Sequence, residues 1–239
     1  MATELSYDCL IIGGGPAGCS AATTLAQKGH RVALLEKAIS PRYHIGESLL
    51  PFCYHPLKRL GVLDKIKTFG FTRKMSVQFV SPDGRGSKPF YFDEHLNHEA
   101  STTWQVLRSE FDELLLENAK SHGVRVLEGS TAIKPIEEGS QNQGLVVQDS
   151  SGNTENLYAP ITIDASGQDC FYLRQRRWRI SEPTLSRLAL WTYYEGTLRD
   201  EGRNEGATTI ARLPEDGWAW FIPLHENRAS VGIVARAES

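Results

Sequence analysis

The sequence predicts an α/β protein in which a parallel sheet is interrupted by a second region of antiparallel strands. Near the N-terminus, an apolar run ends in a glycine-rich turn that opens a helix. A second apolar strand follows that helix and ends in an acidic residue. Residues 76–92 and 188–234 instead alternate apolar and polar side chains between turn residues, which is typical of antiparallel strands.

The glycine-rich turn has the G-x-G-x-x-G spacing of a dinucleotide site. The first glycine permits a tight turn, the third position lets backbone approach a pyrophosphate, and the sixth lets the helix pack closely on the strand. We expect the helix over residues 17–28, with Gly29 as its C-cap. Its N-terminus offers free N–H groups and a positive dipole end to phosphate. The residues predicted to meet the pyrophosphate are Gly13, Gly14, Gly15, Ala17 and Gly18.

Residues 32–35 predict the second parallel strand, and Glu36 falls at its end, about twenty residues past the glycines. A carboxylate there can accept both hydroxyls of an adenosine ribose and repels a 2′-phosphate. Glycines alone would also fit an ordinary tight turn between strand and helix. Together with the strand, the helix and Glu36, they favour an adenine dinucleotide.

The later elements complete the predicted sheet and suggest the domain boundaries. Ser109 is a plausible N-cap for a helix that reaches His122 and ends at Gly123. Residues 124–127 predict a strand, the next two strands end in turns at 139–144 and 150–153, and the strand within residues 159–167 returns to the parallel sheet. We therefore assign residues 1–75 and 105–180 to a dinucleotide-binding domain. Residues 76–104 and 181–239 are assigned to an incomplete, β-rich substrate domain.

Composition narrows the possible partners and compartment. A net charge of −3 gives no basic field for nucleic acid or an anionic membrane surface. Four cysteines without a C-x-x-C pair or His-rich spacing predict neither a zinc site nor disulfides. No apolar run is long enough for a membrane span, and the N-terminus enters the nucleotide strand without a cleavable leader. The expected location is the reducing cytoplasm.

Several motifs of the sequence resemble those of a known family. The glycine turn with Glu36, the segment with Arg108 before a helix, and Asp164 in the sequence Asp-Ala-Ser-Gly resemble the flavoprotein monooxygenases. Their fold is a Rossmann-like FAD-binding domain of the para-hydroxybenzoate hydroxylase type with an antiparallel β-rich substrate domain. Residues 41–51, residues 71–74 and the W-x-W-x-I-P signature further resemble the flavin-dependent halogenase branch. This resemblance extends over essentially the whole chain.

The resemblance implies a specific chemistry. Reduced FAD would be supplied by a separate flavin reductase, and chloride or bromide would be oxidised to hypohalous acid. The acid would pass through a tunnel to a lysine beside a small, electron-rich aromatic substrate, free or tethered to a carrier. An ammonium can hydrogen-bond the hypohalous oxygen, and a neutral amine can itself be halogenated. Either role requires partial burial, which lowers the pKa of the lysine.

Lys74 is the candidate catalytic lysine by this resemblance. It follows Phe71 at the family's spacing, but the F-x-x-K-x-G pattern has Ser76 in place of its glycine. A solvated lysine beside Arg73 is the alternative. The signature residues Trp218, Trp220, Ile222 and Pro223 would line the substrate tunnel, and the indoles would stand between flavin and substrate. Periodicity alone would instead place them on a half-buried strand.

The remaining site residues are also assigned by resemblance. Arg42 and Arg108 are expected at the phosphates or the adenine side, because a guanidinium can offer a phosphate two parallel hydrogen bonds. Glu47 and Ser48 would lie along the isoalloxazine and the tunnel wall. Asp164 would contact the ribityl or pyrophosphate end, or would cap a turn at the end of its strand. No metal ligand is expected.

One family motif is missing from the sequence. A second flavin motif, a Gly-Asp pair opening a helix, is expected well after the W-x-W-x-I-P strand, and the sequence given ends at Ser239. We therefore keep alternatives to the halogenase hypothesis. One is a truncated, non-catalytic FAD-binding remnant that acts through protein contacts. The others are an aromatic hydroxylase and an isoprenoid-type reductase, each of which would consume NADPH without a separate reductase.

Overall fold

The computed structural model describes residues 7–139 and 141–236. Residues 1–6 and 237–239 of the two predicted domains, and Ser140 of the predicted turn at 139–144, lie outside the described residues. The strands are β1 Cys9–Ile12, β2 Val32–Glu36, β3 Thr72–Lys74, β4 Ser76–Val80, β5 Phe90–Tyr91, β6 Thr103–Gln105, β7 Arg125–Glu128, β8 Thr131–Glu138, β9 Gln141–Gln148, β10 Thr154–Tyr158, β11 Ile161–Asp164, β12 Leu188–Glu195, β13 Thr208–Leu213, β14 Gly217–Pro223 and β15 Arg228–Ala235.

The helices are short except for the two in the nucleotide-type region. The α-helices are α1 Pro16–Ala26, α2 Tyr54–Arg59, α3 Leu63–Phe69, α4 Arg108–Ser121 and α5 Phe171–Gln175. Single 3₁₀ turns occur at Pro51–Cys53, Phe92–Glu94, Glu99–Ser101, Gly167–Asp169, Pro183–Leu185 and Gly202–Asn204. No helix in the described ranges is long and apolar enough to cross a membrane.

The chain divides into two compact units, Met1–His44 with Ser109–Ile180 and Ile45–Arg108 with Ser181–Ser239. These limits differ from the predicted domains, because the whole stretch Ile45–Arg108 groups with the second unit. Such a grouping does not test which part binds flavin or substrate. The domain assignment therefore stays a prediction.

The first unit contains the predicted parallel sheet, in the order β11-β1-β2-β7. Every residue of β1 and β2 is buried, as expected of central parallel strands covered on both faces. Beside this sheet, β8, β9 and β10 form an antiparallel meander. Leu10 and Ile12 of β1 share a buried cluster with Leu145 and Val147 of β9, so the two sheets form one core.

The two longer helices of the first unit begin and end slightly differently from the prediction. Helix α1 covers Pro16–Ala26, with Pro16 in its first turn, where the missing N–H costs no hydrogen bond. Helix α4 already begins at Arg108, so Ser109 lies inside the helix and is not its N-cap. Gly123 follows α4 with a φ of +86°, a left-handed backbone that glycine adopts without strain.

The second unit is built on a sheet in the order β12-β15-β14-β13-β4-β5. Its neighbours pair antiparallel, as predicted, except that β13 and β4 run parallel. Residues opposite each other share a face, so Phe79, Ile210 and Trp220 lie on the same face of three successive strands. A separate antiparallel pair, β3 with β6, places Lys74 opposite Thr103.

Candidate functional site

The glycine turn of the first unit is packed so closely that it admits no side chain at two positions. A Cβ on Gly18 would lie 1.8 Å from the carbonyl oxygen of Gly13, and one on Gly13 would lie 2.4 Å from the carbonyl oxygen of Ala165. Gly13 also has a φ of +107°. These glycines therefore fix the distance between β1, α1 and the end of β11. A Cβ on Gly15 would make only an ordinary contact, 3.4 Å from Nη2 of Arg42.

Glu36 closes this turn from the end of β2. Its carboxylate is buried and accepts the N–H of Gly14 at 2.7 Å and the N–H of Ala38 at 3.0 Å. Arg42 places Nη2 3.3 Å from Glu36 and 3.5 Å from Asp112 of α4. One guanidinium thus bridges two buried carboxylates. The sequence had indicated Glu36 and Arg42, but it gave no sign of Asp112, which is close only because α4 packs there.

Cys19 supports the turn from inside α1. Its thiol donates to the carbonyl oxygen of Gly14 at 3.2 Å. Burial, together with the negative charge of Asp112, raises the pKa of Cys19 to about 12. The side chain therefore stays a thiol and a donor at neutral pH.

The residues of this turn fit an adenine dinucleotide. No side chain caps the N-terminus of α1, whose N-cap Gly15 is extended, so its first N–H groups suit an anion. The Arg42 guanidinium next to Gly15 adds a cation at the same end. Oε2 of Glu36 already faces Gly14 and Arg42, whereas Oε1 accepts only the N–H of Ala38 and keeps a further lone pair, which suits a ribose hydroxyl.

Lys74 of the second unit is 2 % exposed, which excludes the alternative of a solvated lysine. Its Nζ donates to Oγ of Ser48 at 2.8 Å and to the carbonyl oxygen of Leu49 at 3.1 Å. The ring of Phe92 lies 5.5 Å from Nζ. Burial lowers the pKa of Lys74 to about 8, and the charge of Cys53 acts in the opposite direction.

A chain of polar side chains continues from Lys74 through the partly buried Ser48 to the buried Thr208 and Gln105. Oγ of Ser48 lies 2.8 Å from Oγ1 of Thr208, to which Nε2 of Gln105 donates at 2.8 Å. Nε2 of Gln105 also donates to the carbonyl oxygen of Gly206 at 2.9 Å. Oε1 of Gln105 is buried without a hydrogen-bond partner. The sequence indicated Lys74 and Ser48 but missed Gln105 and Thr208, since no motif or spacing connects them.

Four residues that were predicted to contact flavin form hydrogen bonds with other residues of the protein. Glu47 accepts the N–H of Gly46 at 2.9 Å and the hydroxyl of Tyr193 at 3.0 Å. Ser48 belongs to the lysine chain. Arg108 donates to the carbonyl oxygen of Ile45 at 2.6 Å. The contacts of these residues with flavin stay predictions.

Asp164, the fourth of these residues, caps a turn. Its carboxylate accepts the N–H and hydroxyl of Ser166 at 3.0 Å and 2.6 Å and the N–H of Tyr172 at 2.8 Å. This geometry corresponds to the capping alternative that the sequence left open. Contact with a ribityl chain or pyrophosphate stays untested.

The two tryptophans of β14 differ in their surroundings. Trp220 is buried, donates from Nε1 to Oγ of Ser230 at 3.1 Å, and packs with Ile222 in a cluster. Trp218 is 42 % exposed. It lines a cavity of 770 Å³ together with Phe79 and Ile210. Pro223 is buried at the end of the strand. Trp220 is thus core, as strand periodicity alone would favour, and Trp218 faces open space.

The cavity beside Trp218 combines aromatic, aliphatic and charged groups within the second unit. Arg85, Arg212 and Asp216 lie in its wall. Asp216 pairs with Arg187 at 2.7 Å and with Arg236 at 2.9 Å, which partly neutralises its charge. The cavity could hold a flat, apolar ring with a polar or anionic substituent.

Comparison with a family model identifies the broad class to which this protein belongs. A family model described as "FAD dependent oxidoreductase" matches residues 8–169, which include the glycine turn, Glu36 and Arg42. The nucleotide fold and its donor groups agree with that description.

Relatives of similar sequence identify the family within that class. The chain is 39 % identical over 241 residues to the flavin-dependent halogenase armH3 of Armillaria mellea, covering 96 % of this chain and 47 % of that protein. It is 38 % identical over 236 residues to a tryptophan 2-halogenase of Chondromyces crocatus, covering 98 % and 44 %. The chain therefore spans about half the length of these curated relatives.

A solved structure supports the same family. The myxobacterial chondrochloren halogenase CndH superimposes with a TM-score of 0.83 at 33 % identity, over 97 % of this chain and 53 % of that one. The chain belongs to the FAD-dependent oxidoreductases, within the family of flavin-dependent halogenases.

Proposed function

We propose that this chain carries the FAD-binding turn and the catalytic lysine of a flavin-dependent halogenase acting on electron-rich aromatic compounds. The observation that carries this proposal is the buried amine of Lys74, held by Ser48 and the carbonyl of Leu49. A lysine without a carboxylate partner is rarely buried for stability, since its desolvation is unfavourable. Its placement therefore supports a chemical role.

The glycine turn would hold FAD by its adenosine diphosphate part. The uncapped N-terminus of α1 and Arg42 would bind the pyrophosphate, and Glu36 the ribose. Once bound and reduced by a separate flavin reductase, FAD would supply the oxidising chemistry by which oxygen converts chloride or bromide to hypohalous acid.

Lys74 would activate hypohalous acid toward the substrate. As an ammonium, it donates an N–H to the hypohalous oxygen, which makes the halogen more electrophilic. As a free amine, it exchanges a proton for the halogen, which releases water, and then passes the halogen to the ring in exchange for the ring proton. The aromatic carbon gains the halogen and loses its proton, and the oxygen leaves as water, so HOX and ArH give ArX and H₂O. The hydrogen bonds to Ser48 and Leu49 fix the direction of Nζ during this transfer.

The cavity beside Trp218 is proposed to hold an aromatic group, but not the ring carbon that receives the halogen, because Lys74 is not among the residues that line it. Phe79, Ile210 and Trp218 offer apolar contact, and Arg85 and Arg212 favour a phenolate or carboxylate substituent. Trp220, Ile222 and Pro223 would support this wall from the core. Within the same proposal, Glu47, Ser48, Arg108 and Asp164 remain candidates for contacts along the flavin.

The test is an assay with the full-length protein, FAD, a flavin reductase, NADH, and chloride or bromide, against a panel of phenols, pyrroles and indoles. We expect halogenated product from the wild type and none from Lys74→Met, which should still bind FAD. Lys65→Met is the matched control, because Lys65 is exposed. Product from Lys74→Met would remove Lys74 from the mechanism.

The same assay separates the alternative functions. A visible spectrum without flavin absorbance, with no product from any substrate, would indicate a non-catalytic remnant. Consumption of NADPH without an added reductase would instead indicate an aromatic hydroxylase or an isoprenoid-type reductase.

A further inference from the structure

The hydrogen bonds that link Gln105, Thr208 and Ser48 to Lys74, here called the polar chain, have a donor direction that Gln105 sets. Nε2 of Gln105 must carry the protons there, because its partner at 2.9 Å is the carbonyl oxygen of Gly206, which can only accept. The same nitrogen therefore donates to Oγ1 of Thr208. Thr208 is left with its own proton to donate, and the hydroxyl of Ser48 is its neighbour at 2.8 Å.

Counting protons distinguishes the two states of Lys74. If Lys74 is an ammonium, it donates to Ser48, Gln105 donates to Thr208, and only one hydroxyl proton is needed between Ser48 and Thr208. The other hydroxyl proton then has no acceptor among Lys74, Ser48, Thr208 and Gln105. If Lys74 is a free amine, Gln105 donates to Thr208, Thr208 to Ser48, and Ser48 to Nζ. Every hydroxyl and amide proton of Gln105, Thr208 and Ser48 then has an acceptor.

Three of the four side chains in this polar chain are buried, and Ser48 is partly buried. Gln105, Thr208 and Lys74 are all buried. Gln105 shares a face of β6 with Thr103, which lies opposite Lys74. A Cβ on Gly206 would lie 1.8 Å from the carbonyl oxygen of Arg73, so the backbone that anchors Gln105 lies against β3.

Few other charges act on the amine. Cys53, the last residue of the 3₁₀ turn Pro51–Cys53, acts on Lys74 through its charge in favour of the ammonium. The Phe92 ring and the Leu49 carbonyl carry no net charge. Arg73, the neighbour of Lys74 on β3, points to solvent. The low pKa caused by burial acts in the same direction as the chain.

We infer that Gln105, Thr208 and Ser48 are positioning residues that aim Lys74 and stabilise it as a free amine. They do not touch the reacting atoms, except through the nitrogen of Lys74. In the context of the proposed function, on which this role rests, they set the fraction of lysine that can bond a halogen at nitrogen. The proton count itself does not depend on that function.

The experiment is a titration of Lys74 by NMR in the full chain, with ¹³C- and ¹⁵N-labelled lysine. The signal is assigned by its loss in Lys74→Met. Thr208→Val removes the central hydroxyl at nearly constant volume, and we expect the pKa of Lys74 to rise by about one unit, a tenfold change in the ratio of amine to ammonium. Thr208→Ser should restore the wild-type value.

Thr103→Val is the matched control. Thr103 is buried opposite Lys74, but its hydroxyl donates to the carbonyl of Leu50 at 3.3 Å and is not part of the chain. Its substitution should leave the pKa of Lys74 unchanged. If Thr208→Val does not fold, Gln105→Met provides the second variant. It removes the donor that orients the chain, together with the buried Oε1 that has no partner, and the pKa should rise likewise.

The inference would be overturned if the pKa of Lys74 fell or stayed constant in Thr208→Val or in Gln105→Met. If the hydroxyls merely solvated the ammonium, their removal would lower the pKa of Lys74. An equal rise in Thr103→Val would also overturn it. If the pKa rises as expected but the full-length protein halogenates no substrate, the proposed function fails while the positioning chain stands.

Discussion

The glycine turn of the first unit and the lysine site of the second unit each hold a cation, but in opposite ways. Arg42 lies between two carboxylates, Glu36 and Asp112, at 3.3 Å and 3.5 Å. Lys74 is more deeply buried, and within the described part of the chain it has no carboxylate in ion-pair contact. Its partners are a hydroxyl and a carbonyl oxygen.

This difference corresponds to two kinds of chemistry. Carboxylates keep Arg42 charged and in place, which suits the binding of an anion such as a pyrophosphate. Neutral partners leave the charge of Lys74 poorly compensated, so its two protonation states come close in energy near neutral pH. The first site is built to bind, and the second to hold a reactive amine.

The largest expected effect tests how far the binding site depends on close packing. Gly18→Ala should destabilise the protein by roughly 4 kcal/mol or more, because the new Cβ would overlap the carbonyl oxygen of Gly13 at 1.8 Å. Gly15→Ala should change stability by less than about 0.5 kcal/mol but weaken FAD binding about tenfold. Urea unfolding and flavin fluorescence measure the two quantities. Equal losses of stability in both variants would contradict this explanation.

The second-largest expected effect tests whether Glu36 and Asp112 depend on the charge of Arg42. Arg42→Met should cost about 3 kcal/mol, since it leaves the buried carboxylates of Glu36 and Asp112 without their shared cation. The double variant Arg42→Met, Asp112→Asn should recover part of that loss, as measured by urea unfolding. If the double variant is no more stable than the single one, the two carboxylates do not compete for one charge.

Lys74→Met should increase the free energy of unfolding at neutral pH, whereas Arg42→Met should decrease it. The pKa of Lys74 falls from 10.5 to about 8 on folding, so below pH 8 its ammonium destabilises the folded state, by roughly 1 to 3 kcal/mol. Between pH 8 and 10.5 the unfolded chain binds more protons, so the wild type gains stability as pH rises. The variant should be more stable at pH 7, and this advantage should shrink up to pH 10.5. A constant difference in unfolding free energy would show that Lys74 titrates normally.

The smallest effect concerns the place where the lysine motif departs from the family. Ser76 begins β4 and donates to Oδ1 of Asn204 at 3.0 Å. Its backbone is that of a strand, so glycine offers no conformational advantage there. Ser76→Gly should therefore cost about 1 kcal/mol, and should cost less in an Asn204→Ala background. Increased stability in thermal unfolding would mean that the serine is a strained substitute.

Prediction from the sequence succeeded where local patterns are linked to backbone geometry. The glycine spacing, the apolar runs of β1 and β2, and Glu36 at the strand end gave the parallel sheet and its turn. The limits of α4 were less accurate, because Ser109 has the right side chain for an N-cap but the helix begins one residue earlier. Trp218 and Trp220 could not be distinguished, since they share one face of a strand and differ only in what packs on them.

The sequence by itself determined the fold class, the dinucleotide turn and the choice of Lys74, because each depends on residues close together in the chain. Only the tertiary structure decided that Asp112 shares Arg42 with Glu36, and that Gln105 and Thr208 stand behind Lys74. These partners come from distant segments and have no common spacing. Their proximity follows from the packing of whole strands and helices, and that packing also removes water and so gives the buried charges their effect.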